Sequence, residues 1–314
     1  MRFCFILEEK YVHKPMPTAV IEQLRQWGHE VDVLQPYAAV TNLANFTLNH
    51  YDAYILKTVS DGPGLTILEV AEALGIPTIN NSRAIRLIRD KAVAVAYGQA
   101  HGIPFPLTYF VGHPRALVKV PHDIYPVVVK PSNGSAMQDI HKVNSPQEME
   151  ALSASLDPQS YFLAMRYVEN TGYDIKLYVT GQEVHAIIKS SPLHGEIQEE
   201  EIPVSRPMLR LAQRVGRVFG LDLYGVDVLE TPQGLMVVDI NDFPSFYGVP
   251  RKVVSVAEYI LHAAYRYKLD RERREGRIER PPAFKRPALR RQDATLVPAE
   301  LMPTSPVVKR AKRD

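Results

Sequence analysis

Cysteine is nearly absent from this chain, with Cys4 as its only example. A lone thiol excludes an internal disulfide, so the fold must rest on a packed core, and a reducing compartment is the natural setting. Cys4 lies in the apolar run "RFCFIL" and reads as a small buried hydrophobe rather than a nucleophile. Long apolar runs are missing too. No stretch approaches the roughly 18 residues of a membrane-crossing helix, and no basic region followed by a long apolar segment opens the chain. A cytoplasmic protein is expected. An excess of one charge is also missing, since the formal net charge is only +2. Residues 270–314 hold 13 Lys and Arg against 7 Asp and Glu, leaving 24 against 28 in residues 1–269. A body of that balance is not a nucleic-acid-binding surface. The tail is rich in Arg and Pro and poor in large apolar residues, so it is expected to stay mostly disordered and to touch RNA only weakly.

What is present is an ordinary core-forming composition, 46% hydrophobic over 314 residues, enough for two or three packed lobes. The first third alternates β-rich runs with helical ones: "RFCFIL", "PTAVIEQLRQWG", "EVDVL", "YDAYILK", "GLTILEVAEALG", "IPTIN". That rhythm predicts an α/β layer around a parallel sheet. "NSRAIRLIRDKAVAVAYGQAHG" follows as one helix of about six turns, with Ser82 as N-cap and Gly102 at its end. Beyond "IPFPLT" come a strand and glycine-containing loop in "YPVVVKPSNGSAM", a helix in "SPQEMEALSASL", and the strands "YFLAMRYV", "YDIKLYVTG" and "EVHAIIK". A helix in "RPMLRLAQRVGRVFG", the hairpin "GVDVLETPQGLMVVDINDFP" and a last helix in "KVVSVAEYILHAAYRYKL" complete the pattern.

That hairpin poses the chemical question. Successive strand residues alternate faces, so Asp239 and Asn241 share one, and closure at Pro232-Gln233-Gly234 sets Asp227 across from Asp239. Two carboxylates and an amide oxygen on one face suit a hard cation, Mg²⁺ or Mn²⁺. The same residues would also serve as the exposed polar face of an edge hairpin. In "YPVVVKPSNGS" a strand delivers Lys130 into Ser132-Asn133-Gly134-Ser135, small residues whose backbone N–H groups can close over an anion. Lys91, beside Asp90, reads alone as a helix-surface lysine. Two lysines and a metal site together are the parts that hold and polarise a nucleotide triphosphate.

In order and spacing, "INNSRAIRLIRDK", "YPVVVKPSNGS", "YVENTGYDIKLYVTGQEV" and "GVDVLETPQGLMVVDINDFP" resemble the ATP-grasp enzymes over roughly residues 1 to 265. The resemblance implies mixed α/β and α+β architecture, with a Rossmann-like N-terminal lobe (1–82) and an ATP-grasp domain (83–269). The latter's central (105–165) and C-terminal (166–269) lobes would clasp ATP. It implies that Lys91 and Lys130 contact the phosphates, that Asp174 binds the ribose, and that Asp227, Asp239 and Asn241 hold Mg²⁺. Adenine would lie against Met165, Arg166, Tyr167 and Val168, although family members often carry Gln-Glu where this chain has Met165-Arg166, which bears on nucleotide selectivity.

Two subfamilies compete for the acceptor. "YVENTGYDIKLYVTGQEV" resembles the RimK-type glutamate ligases and the lysine-biosynthesis carrier-protein ligases, which phosphorylate a carboxylate that an amine then attacks. Their Asp-Ile-Arg stands where this chain has Asp174-Ile175-Lys176. "VVDINDFPSFYGVP" looks like the inositol trisphosphate 5/6-kinases, which would need dense cations around an inositol phosphate. Lys10, Lys57, Lys176, Lys189 and Arg251 are the candidates, and Lys130, Lys176 and Lys189 are the catalytic nominees. The glutamate ligases' long Arg-Ser-Asn insertion is replaced by "SSPLHGEIQEEE", whose Glu199-Glu200-Glu201 reads as a solvated loop. A small carboxylate and an amine are the expected substrates. The resemblance also makes a homo-oligomer the expectation.

Overall fold

The computed structural model describes residues 1–46, 51–58, 62–132, 140–191, 193, 198–274 and 276–277. Three sheets organise them. The first is parallel, in the order β2-β1-β3-β4, from β1 (Arg2–Leu7), β2 (Glu30–Leu34), β3 (Ala53–Lys57) and β4 (Thr78–Ile79). β1 and β3 are apolar along nearly their whole length because both faces are covered. One face meets α3 (Pro63–Ala73) through Leu65, Leu68 and Ala71. After the short helix α1 (Glu9–Val12), the other face meets α2 (Pro15–Gln26) and α8 (Lys252–Arg274), the latter contributed by the far end of the chain. α8 continues to Arg274, past the end expected from sequence, and most of the tail assigned to disorder lies outside the described residues. Among the described residues no helix is long and apolar enough to cross a membrane.

The second sheet is antiparallel, in the order β5-β8-β6-β7, from β5 (Thr108–Val111), β6 (Val127–Pro131), β7 (His141–Val143) and β8 (Phe162–Arg166). It is backed by α6 (Pro146–Ser155) around Val127, Val129, Met149 and Phe162. The third sheet, also antiparallel, runs β11-β10-β9-β12-β13: β9 (Tyr173–Thr180), β10 (Glu183–Ser190), β11 (Glu200–Ile202), β12 (Leu223–Thr231) and β13 (Gly234–Asp242). Ile175, Leu177, Val226 and Val228 pack one of its faces against α7 (Arg206–Phe219), α4 (Ser82–Arg89) and α5 (Lys91–Ala100).

The expected single helix over 82–102 is two. Asp90 takes an extended backbone (φ −81°, ψ 104°) and its carboxylate accepts from the Ala92 and Val93 N–H groups, capping α5. Asn81 rather than Ser82 caps α4, accepting from Arg83 and Ala84 N–H. Both residues have short side chains that satisfy orphan helix-end donors, so the chain can break and restart within one residue. The consequence is functional: Lys91 stands at the first position of a new helix, at the sheet junction, and not on a helix surface.

Candidate active site

The hairpin places Asp227 directly opposite Asp239 and Gly225 opposite Asn241. The register then slips, so that Val228 faces Val237 and Val238 is the extra residue of a β-bulge. A bulge frees backbone groups from the ladder, and the Val238 carbonyl accepts a 2.7 Å hydrogen bond from Lys130 Nζ. Lys130, at the end of β6, thereby ties the second sheet to the third. It is 7% exposed. Burial pushes its ammonium below the usual lysine range, and Asp239 opposes that shift.

One row of residues crosses the sheet from Ile187 through Lys176 and Asp227 to Asp239. Lys176 Nζ donates to Asp227 Oδ2 at 3.1 Å, and Lys189 Nζ is an ion pair at 2.9 Å from Oδ1. Asn241 Nδ2 also donates to Oδ2, at 3.3 Å. Burial alone would raise the Asp227 carboxyl, but Lys176 and Lys189 outweigh it and hold the group at about 2. Gly225 makes room for this: a Cβ there would stand 2.9 Å from Lys176 Cε. Lys91 Nζ completes the group, 3.7 Å from Asp239 Oδ2. Lys91, Lys130, Lys176, Lys189, Asp227, Asp239 and Asn241, nominated from separate stretches of sequence, thus form one continuous cluster.

Other nominees fall around it. Asp174 is buried on β9, in register with Lys189. Ser132 is fully buried; its carbonyl accepts from Lys91 N–H at 3.1 Å, joining the end of β6 to the start of α5. Gly134 and Ser135 lie outside the described residues. Met165 is a core side chain packed with Leu163 and Ile175, while Arg166 is exposed. The N–H groups of Arg166 and Tyr167 already donate to Leu107 and Pro126 carbonyls at 2.7 and 2.8 Å, and Val168 C=O accepts from Asn170. Lys142 lies 3.6 Å over the Tyr167 ring, a contact that sequence alone did not suggest.

A second polar cluster, also unforeseen, abuts the first at the C-terminal end of the parallel sheet. Arg89 and Asp242 form a buried pair at 3.1 Å, and Arg89 also donates to the Thr58 carbonyl at 2.9 Å. Lys57 Nζ donates to the Phe243 carbonyl and lies 4.9 Å from the centre of the Tyr11 ring. Burial pushes Lys57 down to about 8. The adjacency of "IRDK" and "DINDFP" to the nominated motifs was the available signal. Of the five cations considered for an inositol phosphate, Lys176 and Lys189 converge on Asp227, Lys10 and Lys57 flank Tyr11, and Arg251 is exposed just before α8. The acidic run is not a loop throughout: Glu200–Ile202 forms β11, and Glu201 meets His185 Nδ1 at 2.8 Å. A cavity of about 680 Å³ lies elsewhere, by the edge strand β2, lined by Thr18, Arg25, Asp32 and Tyr51 among others, and contains none of the nominated residues.

Cationic side chains and facing carboxylates thus meet at the junction of two antiparallel sheets, and the RimK-like ATP-grasp domain family matches residues 88–263. The chain belongs to that family. A relative from Legionella pneumophila described as a probable alpha-L-glutamate ligase is 26% identical over 248 residues, covering 71% of this chain and 82% of that one. The crystal structure of a RimK domain ATP-grasp protein from Sphaerobacter thermophilus superposes with a TM-score of 0.68 at 21% identity, covering 84% of this chain and all of that one. The ATP-grasp ligase PsnB, solved with a minimal precursor, Mg and ADP, gives 0.64 at 18% identity, covering 84% and 98%. The chain is an ATP-grasp ligase, an enzyme that uses ATP to form a carbon–nitrogen bond. The relatives support this reading and not the kinase alternative.

Proposed function

We propose that the protein condenses the carboxylate of an amino acid or peptide with the amine of an amino acid, glutamate being the first amine to test. The observation that carries the reading is the clustering of four lysines around the facing pair Asp227 and Asp239. The acceptor carboxylate is already a nucleophile, so the first step needs no strong base. It attacks the γ-phosphorus, the bond to the β–γ bridging oxygen breaks, and ADP leaves with an acyl phosphate formed. The amine then attacks the acyl carbon, phosphate departs, and one amine proton is lost to solvent. Lys130 and Lys91 hold the phosphates, and Lys176 and Lys189 face the acceptor's negative charge, each fixed so that little reorganises as charge moves. Tyr167 and Val168 flank the base and Asp174 the ribose.

Asp227, Asp239 and Asn241 present two carboxylates and an amide within reach of one another, a hard-oxygen set that fits Mg²⁺ or Mn²⁺. These residues would hold the metal, which when bound neutralises charge on the transferring phosphoryl group.

The test is to supply Mg-ATP with pools of carboxylates, amino acids and inositol phosphates and to follow ADP and inorganic phosphate separately. Both should rise together only with a carboxylate present, hydroxylamine should trap a hydroxamate, and ¹⁸O from the carboxylate should enter the phosphate. ADP without phosphate, alongside a phosphorylated inositol, would overturn the reading.

A further inference from the structure

Asp227 is a heavily engaged carboxylate. Both of its oxygens face lysine ammoniums, Oδ2 at 3.1 Å and Oδ1 at 2.9 Å, and Asn241 donates a third contact. All three ionic side chains are largely enclosed, with side-chain exposures of 9% for Asp227, 12% for Lys176 and 21% for Lys189, against 7% for Asp227 as a whole residue. In such surroundings ion pairs are screened little by water or salt, so separating them is costly unless another partner replaces each side. The wider inventory points the same way. Among the described residues Lys91, Lys130, Lys176 and Lys189 face Asp174, Asp227 and Asp239, four lysines to three carboxylates. A bare divalent cation arriving here meets an excess of lysine side chains and two ammoniums on its nominal ligand. A nucleotide polyphosphate reverses that balance and gives the displaced ammoniums anions to bind.

We propose that Lys176 and Lys189 close Asp227 to a bare divalent cation and admit the metal only together with the nucleotide's phosphates. Before substrates bind, the two lysines act through Asp227 as positioning residues, and they turn to the acceptor's charge only once metal and nucleotide have released them. They make metal and nucleotide binding strongly cooperative, and by linkage each ligand raises the other's affinity by the same factor. The row across β10, β9, β12 and β13 supplies the geometry, with Lys176 beside Asp227 on the neighbouring strand and Lys189 two residues beyond Ile187 on the same face. Gly225 is part of the device, because its bare Cα lets the Lys176 chain cross β12. The inference rests on reading Asp227, Asp239 and Asn241 as the metal ligands.

Equilibrium dialysis of Mn²⁺ against the full chain, with and without ADP present on both sides so that Mn²⁺ held by free ADP cancels, tests it without turnover. Wild type should bind Mn²⁺ at least tenfold more tightly with ADP than without. Lys189→Met and, separately, Lys176→Met should bind bare Mn²⁺ at least tenfold more tightly than wild type, so that the cooperativity shrinks. Adding Asp227→Asn to either should cancel the gain, a result that a merely structural lysine would not produce. Wild type binding Mn²⁺ equally well with and without ADP, or bare-ion affinity unchanged in both folded variants, overturns the lysine gate alone. Mn²⁺ binding with ADP that Asp239→Ala leaves unaltered overturns the metal reading, and the gate with it.

Discussion

The two faces of the five-stranded sheet are built from alternate residues of the same strands, yet they have opposite natures. Ile175, Leu177, Val226 and Val228 bury one face against three helices. On the other, Lys176, Asp227, Asp239 and Asn241 stand beside an apolar end made by Tyr178, Ile187 and Leu223, which packs with α8. A polar sheet face is usually left to solvent. Here Asp227 is only 7% exposed, so its charge is satisfied by other side chains and not by water. The first face contributes hydrophobic stability that tolerates similar shapes. The second depends on pairings in which removing one partner strands another charge.

The contrast is broken most sharply from the charged side. Asp239→Ala should abolish ATP turnover while the fold survives, since the Lys176 and Lys189 pairs with Asp227 remain and only the long 3.7 Å contact to Lys91 is lost. Lys130→Ala should cost on the order of 10²- to 10³-fold in kcat, the scale for one preorganised stabilising group. Circular dichroism beside coupled ADP release checks both, and turnover within about threefold of wild type would remove these residues from the reaction.

From the apolar side the signature reverses. Leu177 is fully buried on the central strand, so Leu177→Ala should destabilise by about 2–5 kcal/mol. Its kcat per folded molecule should stay near wild type in denaturant and steady-state measurements. A large kcat loss without loss of stability would mean that the two faces are not separable.

Acid sharpens the comparison further. Asp227 is held at about 2 against an ordinary 3.8, so its contribution is present above about pH 4 and is lost as pH falls through about 2. Relative to Asp227→Asn, wild type should lose on the order of 2 kcal/mol across that window. Parallel stability curves would contradict it. The second polar cluster is tested through Lys57, lowered from 10.5 to about 8. Between those values the unfolded chain binds the extra proton, so wild type should gain stability as pH rises from about 8 to 10, and Lys57→Met should lack that rise.

Much of this was legible in the chain. Alternation placed Asp239 and Asn241 on one face, and closure at Pro232-Gln233-Gly234 set Asp227 opposite Asp239, although Gly234 already pairs with Thr231 as the first residue of β13. Less legible were contacts that join distant segments. Arg89 and Asp242 are 153 residues apart, and Lys57 reaches a carbonyl 186 residues away. No local pattern encodes such a meeting. Asn80 is another case: its side chain bonds the Asp222 and Leu223 N–H groups and the Leu223 carbonyl, clamping the first sheet to the third. The break at Asp90 was missed because helical periodicity runs straight through it, while a cap depends on one side chain turning back on the backbone.

The sequence by itself determined most of the order of elements, the apolar face of each long strand and the residue types available for chemistry, because these follow from periodicities of 2 and 3.6 and from side-chain chemistry within a few residues. Only the tertiary structure decided which charges meet. It set Lys130 on the bulged carbonyl of Val238, Lys91 beside Asp239, and Lys176 and Lys189 on Asp227. Electrostatic energy depends on distance and burial, and neither exists until the three sheets have packed.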